Sequence, residues 1–521
     1  MSNGNKKSCV EAYRGSWGHT NGYQASRALN ILNTILGRVD RIGGYCTSKR
    51  FGGKEPSKPV SSSLTSGVRI DRASSKYEGT LETPSRQWYP VASVVSQEAI
   101  PSMAAGYPYN CKALMLYTFN PAYTQPNTQG VKDALTKKNG NSYAIPLVVS
   151  CSIFMDETAA LSDYILPDST YFERFSLPFT SYPTLKTKAA TIRRPVIGSY
   201  KDISIEGRSA RIYIPDGSSL DGSSFGSADK LLEAWSGPMP YDEQLIQMAK
   251  KLALPNFGAD GMGTGKHLDT AYQFWDETLA LGDFSNGLGD EGASGSPGDS
   301  TESYMTMGGR WENPSQVEDP NASGWAKNRY GDLISIFSEK VAHSKNVLTG
   351  EKYSGIPAWE DPNIGLKGNK PEDTEYKYTM NTYKRAWHVQ SRSTSNEWLL
   401  ELQPEGFIYL NSSDASSLSV LTGDTVKVSS PNGQSTEGKV RVIKGLRQKS
   451  VVIDFHFGRE WFGSKAYSID GENSAYDPNI GVGPNANLIQ RGDPDFSDIC
   501  LTDSISGQAC FHITKVKVEK T

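Results

Sequence analysis

The stretch FMDETAALSDYILPDSTYFERF occupies residues 154–175. It continues IPLVVSCSIF (145–154), an unbroken apolar run of the kind that a parallel strand buried on both faces displays. Asp156 and Glu157 stand where that run stops. They open a helix-like stretch that closes at Leu166-Pro167, and a second acidic-aromatic cluster follows at once. Upstream, CKALMLYTFNP (111–121) reads as a short buried strand ending in Asn-Pro, and TQGVKDALTKK (128–138) reads as a helix. The β-α-β-α order predicts two parallel strands joined by a right-handed crossover. Ligands of such sheets sit outside the carboxyl ends of the strands. Both strands end in polar side chains, Thr118 and Asn120 on one, Ser152 and Asp156 on the other. If the strands are neighbours, these four groups line one crevice. The competing reading makes Asp156 a helix N-cap, stabilising by about 1 kcal/mol.

A chain of 521 residues exceeds one compact core, so two or more domains are expected. The formal net charge is −3, and no run of Lys and Arg marks a nucleic-acid surface. No stretch approaches the roughly 20 apolar residues that a membrane helix needs. The opening MSNGNKKSCVEAYRG has basic residues but no apolar core behind them, so it does not read as a secretory signal peptide. Cys9, Cys46, Cys111, Cys151, Cys500 and Cys510 include no C-x-x-C pair, which excludes the usual iron–sulfur and zinc motifs. Most of them are expected to be small buried side chains, and spacing alone does not make Cys500 and Cys510 a disulfide. No two of the six histidines stand at i, i+4, so no helical metal pair is present.

Residues 23–37, YQASRALNILNTILG, carry apolar side chains at helical spacing, with Gly37 as a stop. Residues 200–330 are dominated by Gly, Ser, Asp and Pro, interrupted by one helical stretch, YDEQLIQMAKKLAL (241–254). Within them GLGDEGASGSPGDSTES (287–303) has the composition of a flexible surface insertion. GMGTGKH (261–267) fails as a phosphate loop: Asp260 stands where the first Gly is required and His267 follows the Lys. From about residue 380 the texture changes to short β segments. GFIYLN (406–411), the alternating strand and Asn432-Gly433 turn within 414–433, and the pieces 438–443, 450–455 and 512–518 compose a β-rich unit. A small barrel is the natural closure, because it leaves no exposed strand edge. Composition and spacing by themselves support a dinucleotide-type crevice beside a β-barrel.

The run 156–175 also resembles a signature of the molybdopterin oxidoreductases of the dimethyl sulfoxide reductase family. YRGSWGHTNGYQASRALNILNTILGRVDRIGG (13–44) resembles that family's His-Thr-Asn-Gly segment with its helix, and LYTFNPAYTQPN (116–127) its Asn-Pro loop. HVQSRSTSNEWLLELQPEGFIYLNSSDASSLSVLTGDTVKVSSPNG (388–433) resembles the opening of the family's C-terminal dinucleotide-binding barrel. FHFGREWFG (455–463), GPNANLI (483–489) and DSISGQACFHITKVKVE (503–519) follow in the family's order. The first of these segments is most similar to the tetrathionate and arsenate reductase branch.

The resemblance implies an α/β architecture. A Rossmann-like parallel-sheet region over 1–375, with a long insertion around 200–330, would precede a double-psi type β-barrel over 376–521. It implies a molybdenum, or tungsten, held by two molybdopterin guanine dinucleotides. Thr118, Asn120, Ser152 and Asp156 would contact one guanine dinucleotide. His388, Gln390, Ser391 and Arg392 would approach pterin or pyrophosphate from the barrel, with Asn487 and Asp503 on the same face. Many relatives carry Asp where Ser152 stands, and a hydroxyl cannot bind a guanine edge as a carboxylate does. His388 also reads as a satisfied core histidine, Arg392 as half of a surface ion pair and Asp503 as a turn residue, and the role of His19 stays open. The family's cluster-binding cysteine motif and metal-ligand segment are not matched, so the resemblance implies the C-terminal half of a catalytic subunit, either one piece of a naturally split subunit or a fragment of a longer chain. The 4Fe-4S cluster and the metal ligand would be carried by a partner chain, alongside a membrane anchor and an iron–sulfur electron-transfer subunit. The expected activity is reduction of tetrathionate in anaerobic respiration, with arsenate or polysulfide as alternative substrates. The rival class is a non-catalytic scaffold. Co-export with the partner would place the protein in the periplasm or on the cell exterior, the cytoplasm being the other location.

Overall fold

The helix read over 23–37 forms as Gly22–Ile35 (α1), and Gly37 behind it takes a left-handed φ of +63°, which glycine adopts without steric cost. The computed structural model describes residues 8–12, 14–39, 44–45, 89–92, 95–107, 109–176, 189–191, 195–281, 310–312, 336–370, 374–469 and 471–521. These divide into two compact units. One takes in the described parts of Ala12–Ile31, Val68–Ile165 and Ser335–Thr521, the other those of Met1–Glu11, Leu32–Gly67 and Leu166–Ile334. Every candidate site residue belongs to the first unit.

In that unit Leu114–Tyr117 (β1) and Val148–Ser152 (β2) pair in parallel, from Leu114 opposite Val148 to Tyr117 opposite Cys151. The crossover between them contains the helix Thr128–Thr136, whose Val131, Ala134 and Leu135 pack with Leu114, Leu116 and Val148 into one apolar core. The helix expected to start at Asp156 does not form. A 3-10 turn at Ala159–Leu161 is followed by a third strand, Tyr164–Pro167 (β3), beside β2. Asp163 is the cause: its N–H donates to the Val148 carbonyl at 2.8 Å and its carboxylate accepts from the Val148 N–H at 2.7 Å. A few residues of helix cannot repay nucleation against a ready strand edge.

The second unit corrects the reading of residues 200–330. Ser199–Ile205 (β4) and Arg208–Ile214 (β5) form a hairpin around Glu206-Gly207, with φ +52° and +79°. Such a pair of left-handed residues matches the strand twist. Helices Ala228–Ala234, Tyr241–Lys251 and Ala271–Leu281 follow, so one expected helix becomes three. Alternating Ile203, Ile205, Ala210 and Ile212 were hidden among Ser and Arg, and they bury a core with Phe225 and Leu231. The tract 287–303 lies outside the described residues.

Back in the first unit, the C-terminal region closes a six-stranded barrel. Its strands are Tyr378–Tyr383 (β6), Phe407–Asn411 (β7), Thr425–Ser429 (β8), Ser435–Ile443 (β9), Ser450–Asp454 (β10) and Thr514–Lys520 (β11), in the order β6-β10-β7-β9-β8-β11. Met380, Ile408, Leu410, Val426, Val428, Val440, Val451, Ile453, Val516 and Val518 fill its interior. Cys151, Cys500 and Cys510 are buried, Cys111 is half-buried and Cys9 exposed; none of these five is in a disulfide, and Cys46 lies outside the described residues. Among the described residues no helix is long and apolar enough to cross a membrane.

Candidate functional site

At the end of β1 the Thr118 N–H donates to the Cys151 carbonyl at 2.9 Å, one step beyond the paired strands. Thr118 then turns to φ +46°, a conformation rare for a β-branched residue. That turn leads the chain off the sheet and into buried Asn120. The Asn120 amide donates to Glu157 Oε2 at 2.7 Å, and its Oδ1 accepts from the Thr158 N–H at 3.1 Å and hydroxyl at 2.8 Å. Asp156 Oδ1 accepts from the N–H groups of Thr158 and Ala159 at 3.0 and 2.8 Å, and its Oδ2 receives the Ser152 hydroxyl at 3.4 Å. Asp156 therefore does cap, but a turn rather than a helix. Burial pushes its carboxyl up to about 6 against the pull of those N–H donors. Thr118, Phe119, Ile153 and Phe154 are exposed around this buried polar knot, so the strand ends present a rim to solvent.

On the barrel side, His388 is buried, with Nδ1 3.1 Å from the Ser393 hydroxyl, which makes it a satisfied core histidine. Gln390 takes φ +36°, and Gln390 and Arg392 are exposed while Ser391 is half-buried. The Gln390 carbonyl accepts from His456 Nδ1–H. His456 Nε2 in turn accepts the Arg385 N–H at 3.1 Å, which fixes the tautomer. Burial, first of all, pushes the His456 imidazole down to about 4, so it is neutral near pH 7.

The two walls meet at Arg459. Its Nε and Nη2 bind Glu157 Oε1 and Oε2 at 3.0 and 2.8 Å, and Nη1 donates to the Ser391 carbonyl at 2.7 Å. The guanidinium lies 4.1 Å from the ring centres of both Tyr123 and Phe462. Glu157 Oε1 also accepts the N–H groups of Glu460 and Trp461 at 3.0 and 3.2 Å. Burial works against the Glu157 charge, but Arg459 and Asn120 outweigh it and hold the carboxyl below its ordinary value. One buried ion pair thus joins residues 118–120, 152–158 and 388–392. Arg459 lies within FHFGREWFG and is not among the residues expected at the site. The available signal was a lone cation inside an aromatic run, which must find an anion if buried.

Asn487 lies beside this junction, its amide donating to the Tyr123 carbonyl at 2.9 Å. Asp503 serves elsewhere in the unit. Its Oδ2 accepts the Tyr23 N–H at 2.9 Å, at the start of α1, and its Oδ1 accepts the Ile505 and Ser506 N–H groups at 3.0 and 2.7 Å. It is a turn and helix-start residue, with both oxygens committed to the protein. Among the described residues no cluster of three His, Cys, Asp or Glu side chains could hold a metal ion.

Comparison with protein families matches residues 12–181 to the molybdopterin oxidoreductase model and 378–505 to the molydopterin dinucleotide binding domain. The chain belongs to the molybdopterin oxidoreductases of the dimethyl sulfoxide reductase family. This family member is 27% identical to a selenate reductase polypeptide of Mesobacillus selenatarsenatis, over 99% of the chain and 51% of that relative. It is 24% identical to a tetrathionate reductase polypeptide of Salmonella typhimurium, over 96% of the chain and 50% of the relative. It is 21% identical to the molybdopterin-containing polypeptide of the arsenate respiratory reductase of Chrysiogenes arsenatis, over 96% and 56%. The chain spans about half the length of these curated relatives. Acetylene hydratase from Pelobacter acetylenicus has a similar fold, with a TM-score of 0.50 at 15% identity over 82% of this chain and 47% of that one. Both family matches fall on the regions that carry the polar knot and the barrel, and Glu157 and Arg459 lie one in each.

Proposed function

We propose that this molybdopterin oxidoreductase chain is the C-terminal portion of a catalytic subunit that binds molybdenum, or tungsten, through two molybdopterin guanine dinucleotides and reduces a sulfur-group oxyanion, tetrathionate foremost. The observation that carries the reading is the convergence of three polar segments, remote in sequence, on the Arg459–Glu157 pair. The residues present fit a nucleotide-tailed group. Thr394 Oγ1 is buried without a hydrogen-bond partner, two residues from exposed Arg392. Left-handed backbone at Thr118 and Gln390 marks both walls, as strained residues do where a ligand is held. The finer description of the barrel, a double-psi type, is supported by its two parallel pairs, β6 with β10 and β7 with β9.

On this reading Thr118, Ser152 and Asp156 offer hydroxyl and carboxylate contacts to one nucleotide, while Gln390, Ser391 and Arg392 approach from the barrel. Arg392 would form charge-assisted bonds to pyrophosphate. Asn120, His388 and Asn487 support those walls from behind. The bound metal would supply the two-electron redox chemistry. This chain's share is to orient the cofactor and to replace its water with fixed dipoles. A partner polypeptide would contribute the metal ligand and the 4Fe-4S cluster, with an iron–sulfur subunit beyond it, and the assembly would work outside the cytoplasm after co-export. Selenate is the second substrate reading, favoured by the 99% coverage of this chain by the selenate reductase relative.

The test is purification of the chain with whatever polypeptide accompanies it, metal analysis, and chromatography of acid-released nucleotide. A panel of tetrathionate, selenate, arsenate and polysulfide with a reduced viologen dye follows. Molybdenum or tungsten with guanine nucleotide, and dye oxidation by tetrathionate, are expected. A preparation free of guanine nucleotide would instead favour a non-catalytic scaffold.

A further inference from the structure

We propose that His456 and Arg459 are positioning residues: from the segment just after β10 they grip the consecutive main-chain carbonyls of Gln390 and Ser391, and so fix the loop whose side chains face the nucleotide. The inference rests on the cofactor reading above and names what holds one wall of that site.

The loop needs holding. A non-glycine residue at φ +36° persists only where its surroundings over-determine it. Within the loop the Arg392 N–H donates to the Val389 carbonyl at 3.0 Å, and the Val389 N–H to the Ser393 hydroxyl at 2.8 Å. The two carbonyls between those bonds are taken by side chains of the 455–462 segment.

Both grips are rigid. His456 is fully buried, its ring stacked 4.2 Å from Phe455, and the Arg385 N–H at Nε2 leaves Nδ1–H to face Gln390. Arg459 lies against the rings of Tyr123 and Phe462 and binds both Glu157 oxygens through Nε and Nη2, which leaves Nη1 for the Ser391 carbonyl. The backbone beneath is equally constrained. The N–H groups of Gly458 and Arg459 both donate to the Gly481 carbonyl, at 2.8 and 3.1 Å. A clamp serving only the fold would require no contact with the loop. Here each side chain spends a donor on a carbonyl of its strained turn.

The experiment combines amide hydrogen exchange over residues 389–393 with calorimetric titration of guanosine diphosphate, on the full chain. The variants are His456→Phe, which removes donor and acceptor, His456→Gln, which can supply both, and Arg459→Lys, which keeps the charge but loses the fork. Exchange in 389–393 should rise at least tenfold in His456→Phe and Arg459→Lys and return to within threefold of the parent in His456→Gln. Guanosine diphosphate affinity should fall about tenfold in the first two and recover in the third. Loop exchange within twofold of the parent in a folded His456→Phe overturns the proposal; if that variant does not fold, Arg459→Lys decides by the same criterion. If the parent chain fails to bind guanosine diphosphate, the cofactor reading fails, and the exchange comparison still decides whether these residues hold the loop.

Discussion

At the residue scale, Glu157 and Arg459 put opposite charges where neither could stay alone. Removing one partner of a buried pair leaves an uncompensated ion, while replacing both by apolar side chains of similar volume is often neutral. Arg459→Ala is therefore expected to lose about 3–5 kcal/mol of unfolding free energy, and the double change Arg459→Met with Glu157→Met less than about 2 kcal/mol. Denaturant titration at one pH compares them directly. Asp156 gives a pH signature of its own. Its folded carboxyl sits at about 6 because burial raises it above the ordinary value of 3.8. The folded state then holds the proton more tightly, so this group's contribution is most favourable below the unfolded value and is lost as pH rises from about 4 to about 6. The full loss is on the order of 3 kcal/mol. Asp156→Asn keeps an oxygen for the Thr158 and Ala159 N–H groups. It should match the wild type near pH 4 and exceed its melting temperature near pH 7. His456 acts in the opposite sense: its lowered value makes stability rise with pH between about 4 and 6.5. An Asp156→Asn profile that parallels the wild type throughout would remove the assignment to Asp156.

At the scale of elements, the segment from Phe455 to Phe462 does more than connect strands. The Phe455–Phe462 stretch follows β10, zips onto the strand-end loop through the Phe462 N–H on the Met155 carbonyl at 2.8 Å, and grips the 388–392 loop. Gly458 makes the path possible: at φ +77°, a Cβ there would come 2.4 Å from the Asn485 main-chain nitrogen. Gly458→Ala should cost more than about 1 kcal/mol, the ordinary penalty for Ala at a left-handed position, because the clash adds to it. Thermal melts beside Gly207→Ala, whose added Cβ meets nothing within 4 Å at φ +79°, separate the two terms. The same comparison explains what was legible in the sequence. β1, the crossover helix, β2 and barrel strands β7 to β11 could be read because apolar periodicity there decides burial, whereas β6, YTMNTY, could not, since Met380 is its one buried residue. The turn after Asp156 could not, because Asp163 pairs with Val148 across a strand edge that no local pattern displays. The β4–β5 hairpin was masked because its alternating apolar positions sit among Ser, Arg and Lys, while the Gly- and Ser-rich tract that follows it dominated the composition.

At the scale of the whole molecule, each wall of the site was legible as a cluster of polar residues after a strand, or by family resemblance. The junction between them was not, because Glu157 and Arg459 are about 300 residues apart in the chain and nothing local pairs them. Asp503 looked like a member of the site and proved to anchor the start of α1. The chain also spans only about half of its curated relatives, and no three-residue metal cluster exists among its described residues. On the proposed function, in which a partner polypeptide supplies the metal ligand, affinity purification should bring a second polypeptide of similar size, and stripping it should release the metal. An isolated chain that holds molybdenum and turns over substrate would refute that expectation. The most direct measurement for the central claim is an experimental structure of the cofactor-loaded assembly. A guanine dinucleotide is expected between the 118–120 and 152–156 strand ends and the 388–392 loop, with Arg459 still bridging Glu157 and the Ser391 carbonyl. A nucleotide bound away from these three segments, or the segments found on separate surfaces, would contradict it.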